Sequence, residues 1–120
     1  TDGAEAAGVR AAHVKGWYNS HMGNRFGASW ADYDRDGDPD LLLTHVGPET
    51  LYENLGNGTF EDVSGLSRIN SGVPTNDSTE TVGATWWDYD RDGLLDVYIN
   101  NWRAENRLYR NLGGGRFDAV

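Results

Sequence analysis

Two short stretches of this chain concentrate its chemistry: "DYDRDGDPD" at 32–40 and "DYDRDGLLD" at 88–96. They hold nine of the 19 acidic residues. Carboxylates crowded to ~4 Å repel by about 4 kcal/mol per pair at an effective dielectric of ~20, so such a loop calls for a counter-cation. A hard dication answers that need. Calcium accepts 6–8 oxygens at about 2.3–2.6 Å and tolerates irregular geometry. In the first stretch Asp32, Asp34, Asp36 and Asp40 stand at positions 1, 3, 5 and 9, with Gly37 at position 6 for a sharp turn and the Asp38 carbonyl at position 7. The second repeats this with Asp88, Asp90, Asp92, Asp96, Gly93 and the Leu94 carbonyl. A helix-loop-helix calcium site would need a bidentate Glu at position 12, where this chain has Leu43 or Ile99. Magnesium prefers fewer protein ligands and strict octahedral geometry, and zinc favours His or Cys. The expectation is therefore two calcium ions, taking the formal charge from −9 to −5 (−9 + 4 = −5). The alternative is an acidic turn without metal, which two copies at identical spacing argue against.

The elements that must position these loops come from an internal repeat. Residues 27–44 align with 83–100 at an offset of 56, and residues 51–63 align with 108–120 at an offset of 57. Each unit runs Gly-Ala-x-Trp, acidic loop, apolar run, Leu-Tyr-x-Asn-Leu, Gly turn, Phe. This predicts four short strands per unit, in the first unit Gly27 to Ala31, "DLLLTH", "TLYENL" and "TFEDV". The second gives "DVYINN", "RLYRNL" and "RFDAV" after its opening strand, and no helical periodicity persists. In "GNG", Asn57-Gly58 suits the φ > 0 positions of a hairpin. Leu41-Leu42-Leu43 and Val97-Tyr98-Ile99 are apolar at consecutive positions, so both strand faces are buried. The fold class is all-β: two four-stranded antiparallel blades of a β-propeller. The intervening segments, 9–26 and 66–82, read as polar, irregular loops.

Composition excludes several functions. Outside the two loops ten acids stand against eight bases, so most of the acidity is local and opposes nucleic acid and anionic membranes. There is no cysteine for a disulfide or thiolate site, and no apolar run long enough to span a bilayer.

"FGASWADYDRDGDPDLLLTHVGP" (26–48) resembles the FG-GAP, or integrin-α-type, repeat and its relative the VCBS repeat. Phe26-Gly27 matches the opening pair, Gly47-Pro48 a worn Gly-Ala-Pro, and "GNGTFEDVSGL" the closing hairpin. The second unit keeps the acidic loop and the "LYRNLGGGRF" hairpin but carries Val82-Gly83 and Asn101-Trp102 at its ends, which favours the VCBS-like form. The resemblance implies a larger, about seven-bladed propeller with calcium between the first two strands of a blade. It carries over as ligands Asp32, Asp34, Asp36 and Asp40, then Asp88, Asp90, Asp92 and Asp96. It also implies an extracellular, cell-surface or periplasmic setting.

The organisation expected is 1–8 as the end of a preceding blade, 9–63 as the first repeat and 64–120 as the second. The ends then lie inside the repeat pattern, with Leu41 or Leu43 and Val97 or Ile99 on faces meant for neighbours. Glu49, Glu53, Glu61, Glu80 and Glu105 are scattered, and no catalytic triad is visible, so the reading is non-enzymatic. His13, His21 and Met22, near Trp17 and Tyr18, read as exposed loop residues. Trp30 and Trp86 are repeat equivalents and read as inter-blade core. Trp17, Trp87 and Trp102 read as a ligand or partner surface. Asn57-Gly58-Thr59 and Asn76-Asp77-Ser78 fit the glycosylation sequon. The expected function is a calcium-binding scaffold whose partners are further propeller blades or other protein chains. The alternative is a carbohydrate-binding, lectin-like module.

Overall fold

The computed structural model describes residues 3–9, 27–73 and 79–120. Two four-stranded antiparallel sheets form in simple meander order. The first contains β1 (Gly27–Ala31), β2 (Asp40–Thr44), β3 (Thr50–Asn54) and β4 (Phe60–Asp62). The second contains β5 (Glu80–Trp87), β6 (Asp96–Trp102), β7 (Arg107–Gly113) and β8 (Arg116–Ala119). These are the eight strands the repeat predicts. The helices among the described residues, α1 (Gly3–Ala6) and α2 (Ser64–Ser67), are single turns.

The core lies between the sheets. One wall is Leu42 and Leu51, cross-strand partners on β2 and β3. The other is Val97, Ile99, Tyr109 and Phe117 from β6 to β8, with Ala84 and Trp86 of β5 against it. Val63 and Ile69 flank α2 and close the space, and the left-handed turn at Arg68 (φ 61°) ends α2 just before Ile69. Leu41 is also buried and Leu43 half-buried, so β2 is apolar on both faces, as its run of three leucines requires.

Several expectations need correction. Val97 and Ile99 are fully buried between the blades and do not form an open face; Leu41 lies on the outward face beside its cross-strand partner Trp30 but is itself nearly buried, and Trp30, Trp87 and Leu112 are the exposed residues. Trp30 is 57% exposed and is not inter-blade core, whereas Trp86 is. The reason is direction: the two units stack front to back, so the Trp-bearing face of the second blade is covered by the first. The corresponding face of the first blade points away. Gly3–Ala6 is a helical turn, and its following Ala7 carbonyl accepts from Phe60 N at 2.7 Å. In the first Gly turn, Gly56 (φ 73°) and Gly58 (φ 86°) take positive φ, while Asn57 uses its side chain to accept from Thr59 N at 3.0 Å. β5 starts earlier than the Gly-Ala motif, at Glu80, with a bulge between Thr81 and Gly83. There the blades are stitched together: Val46 bridges Glu80, Gly47 N donates to Thr79 O and Thr81 N donates to His45 O. Glu49 is not a scattered loop residue but is fully buried and accepts from Thr81 Oγ1 at 2.6 Å. Phe26, Trp17, Tyr18, His13, His21, Met22 and the sequon at Asn76 lie outside the described residues.

Candidate metal centres

Each acidic loop connects the first two strands of its blade. A loop of carboxylates has backbone N–H groups to satisfy, and its own side chains do this. Asp36 N donates to Asp32 Oδ1 at 3.1 Å and Asp34 Oδ1 at 3.2 Å. Gly37 N donates to Asp32 Oδ2 at 3.0 Å, and Asp38 N to Asp36 Oδ1 at 2.8 Å. The second loop copies every bond: Asp92 N to Asp88 Oδ1 and Asp90 Oδ1, Gly93 N to Asp88 Oδ2, and Leu94 N to Asp92 Oδ1. Gly37 and Gly93 have φ of 96° and 88°, the left-handed conformation that position 6 demands. Arg35 and Arg91 at position 4 also take positive φ, 66° and 63°. That strain, which the spacing did not reveal, is held in both loops by the same bonds.

The position-9 aspartates serve differently from the others. Asp40 is 1% exposed and Asp96 0%. Asp40 accepts from Tyr33 N at 3.2 Å and Asn54 N at 2.9 Å. Asp96 accepts from Tyr89 N at 3.0 Å and Asn111 N at 2.7 Å. Each thus ties the start of its loop to the third strand of its blade. The Asn of Leu-Tyr-x-Asn-Leu completes the latch from the far side. Asn54 Nδ2 donates to Pro39 O at 3.0 Å, and Asn111 Nδ2 to Leu95 O at 3.0 Å. Both asparagines were visible in the sequence as repeat-invariant positions but carried no assigned role. Each serves the backbone carbonyl that the loop presents at its exit.

Ligand atoms converge in both loops, though not identically. Asp32, Asp34 and Asp36 place carboxylate oxygens within 4.8 Å of one another, and so do Asp88, Asp90 and Asp96. Oxygens on opposite sides of a calcium ion stand about 4.6–5.2 Å apart, twice the Ca–O distance. The all-oxygen donor set and its span both fit that ion. Asp40 and Asp92 stand outside these triads, and Asp38 contributes its N–H to the loop while its carboxylate lies beside Gly56.

The surroundings of the two loops differ in charge. Burial pushes the Asp34 carboxyl up to about 6, assisted by the negative charges of Asp36, Glu53 and Asp32. Burial does the same to Asp40, also to about 6, with Asp34 and Asp36 adding to it. In the second blade Arg110 takes the place of Glu53 in the repeat. Its Nε lies 2.7 Å from Asp90 Oδ2 and its Nη2 3.4 Å from Asp92 Oδ2, and the Asp90 carboxylate raises the guanidinium pKa.

No helix among the described residues is long and apolar enough to cross a membrane. Over 66 residues the chain is 33% identical to cartilage acidic protein 1 of Mus musculus and 32% identical to that of Homo sapiens. The same length matches cartilage acidic protein 1 of Xenopus tropicalis at 30%. The matched stretch is 55% of this chain, and the chain spans only 9% of the length of each relative. A family model described as an FG-GAP-like repeat matches residues 32–99, from the first aspartate of one loop through the second loop and into β6. Covering more than half of the sequence, and joined to two propeller-like blades that carry one loop each, this match places the chain in the FG-GAP-like repeat family.

Proposed function

We propose that this chain is a calcium-binding, non-enzymatic propeller segment that acts outside the cytoplasm as a rigid surface for protein–protein contact. The observation that carries the reading is the pair of acidic loops with one shared hydrogen-bond pattern, each converging three carboxylates within 4.8 Å. Asp32, Asp34, Asp36 and Asp40 would hold one ion with the Asp38 carbonyl, and Asp88, Asp90, Asp92 and Asp96 the other with the Leu94 carbonyl. Bound calcium would neutralise the crowded carboxylates and tie the first and second strands of each blade together. FG-GAP-like repeats are generally non-enzymatic, and weak calcium sites suit calcium-rich extracellular fluid. Exposed Trp30 on one blade, and Trp87 and Leu112 on the other, support packing of further propeller blades or other protein chains there. The lectin-like alternative rests on Trp87 and Trp102, which are 41% and 37% exposed.

Calorimetric titration of the chelator-stripped chain tests the reading. Two ions should bind, and saturation should stabilise the fold by ~2.7 kcal/mol per site at a calcium concentration about 100 times the Kd. No binding at millimolar calcium would refute it. A glycan array binding with calcium present, and lost on Trp87→Ala or Trp102→Ala, would favour the lectin.

A further inference from the structure

The two loops share sequence, turn geometry and internal hydrogen bonds, yet they stand in opposite electrostatic settings. The third-strand residue facing the first loop is Glu53; its repeat equivalent at the second loop is Arg110. Arg110 is engaged as a cation there, with Nε 2.7 Å from Asp90 and Nη2 3.4 Å from Asp92. Asp90 belongs to the second carboxylate triad, whereas Asp92 does not; in the first loop the corresponding Asp36 does. A second arginine approaches the same loop: Arg35, projecting from the first loop, places Nη1 3.8 Å from where a Cβ on Gly93 would stand.

Rigidity differs in the same direction. The Tyr33 ring, at position 2 of the first loop, is 2% exposed and packs on Trp86 and Phe117 of the second blade at 6.3 and 5.5 Å. Its carbonyl accepts from Asn111 Nδ2 at 2.9 Å. The first loop is thereby clamped by its neighbour. Tyr89, the equivalent in the second loop, is 37% exposed. Calcium affinity in loops of this chemistry rises with ligand charge and with site rigidity.

We infer that the two loops are unequal calcium sites, the first strong and the second weak, because the second carries its own counter-cation, Arg110, which calcium must displace. This rests on the calcium reading above. The Arg110 guanidinium occupies the second loop when calcium is scarce and limits carboxylate repulsion there. Among the described residues the first loop has no such substitute, so its carboxylates are left to calcium. The chain would therefore respond to calcium in two steps, at low concentration through Asp32, Asp34 and Asp36, and at higher concentration through the second loop.

The test is calorimetric titration of calcium into the chelator-stripped 120-residue chain, with circular dichroism of each variant as the check on folding. Two steps separated by at least about tenfold in Kd are expected, since one neighbouring charge changes sign at ion-pair distance. Asp36→Ala should remove the tight step and Asp92→Ala the weak one. Arg110→Glu should tighten the weak step by about tenfold or more and leave the tight step in place, while Glu53→Arg should weaken the tight step. Arg110 is well exposed, so its exchange should not prevent folding. Two ions binding with equal affinity, or Arg110→Glu leaving the weak step unchanged, would overturn the inequality alone. An absence of calcium binding in wild type and in Arg110→Glu alike would overturn the calcium reading with it.

Discussion

The two blades carry the same residues at the same repeat positions and use them differently. Tyr33 is 2% exposed and Tyr89 37%. Phe117 is fully buried and Phe60 half-buried. Trp86 packs on the core and Trp30 is 57% exposed, although each tryptophan meets its phenylalanine edge-on, at 5.9 and 6.1 Å. The ring pair is thus a property of the blade, and its burial is a property of the stack. What separates the members of each pair is which face has a neighbour. The interface is directional: the back of the first blade, with Leu42 and Leu51, covers the Trp-bearing front of the second. A residue's repeat position therefore predicts its partners within a blade, but not its solvent exposure.

The sharpest way to break that comparison is truncation of the paired tyrosines. Tyr33→Ala should cost about 3–5 kcal/mol in denaturant unfolding with calcium present, as expected for a buried aromatic. Tyr89→Ala should cost under about 1 kcal/mol, as a largely exposed side chain. Equal losses would mean that the blades are not coupled through the first loop. The latch asparagines come next. Asn111 is 1% exposed and donates to both Tyr33 O and Leu95 O, so Asn111→Ala should cost about 2–3 kcal/mol by stranding two carbonyls. Among the described residues Asn54 donates to Pro39 O alone, and Asn54→Ala should cost about 1 kcal/mol.

A third measurement marks where the comparison should vanish. Gly37 and Gly93 share nearly the same positive φ, and neither has a backbone atom near its missing Cβ. Gly37→Val and Gly93→Val should each cost about 1–3 kcal/mol from backbone strain alone, and each should weaken calcium binding at its own loop. An unchanged affinity for Gly37→Val would show that the turn does not shape the site.

The last expected effect is on pH. In chelator, Asp34 and Asp40 have folded-state pKa values raised to about 6 from 3.8. Between those values the folded chain binds more protons than the unfolded chain, so stability falls as pH rises. The metal-free first blade should therefore be more stable near pH 4.5 than near pH 7. Asp34→Asn should flatten that slope, and calcium should abolish it by holding the carboxylates ionised. Thermal unfolding against pH, with and without chelator, would measure it. A slope of the opposite sign would contradict the burial of these groups.

The sequence by itself determined the strands and the loops. A twice-repeated pattern of four short strand segments, an Asp at alternate loop positions and a glycine at position 6 are local instructions, each satisfied within one blade by hydrogen bonds between near neighbours. For the same reason the repeat-invariant Asn54 and Asn111 were present as a signal, awaiting only the backbone groups they serve. Tertiary structure alone decided everything that depends on the second blade lying behind the first. It buried Tyr33 and left Tyr89 exposed, covered Trp86 and not Trp30, and drew Glu49 into contact with Thr81 across 32 residues of chain. It also set Arg110 against Asp90 and Asp92, a contact that lies 18 residues along the sequence from Asp92 and is made only when β7 folds beside the loop. Contacts between distant segments depend on how whole sheets stack, and no local pattern of residue types encodes which face of a blade meets its neighbour.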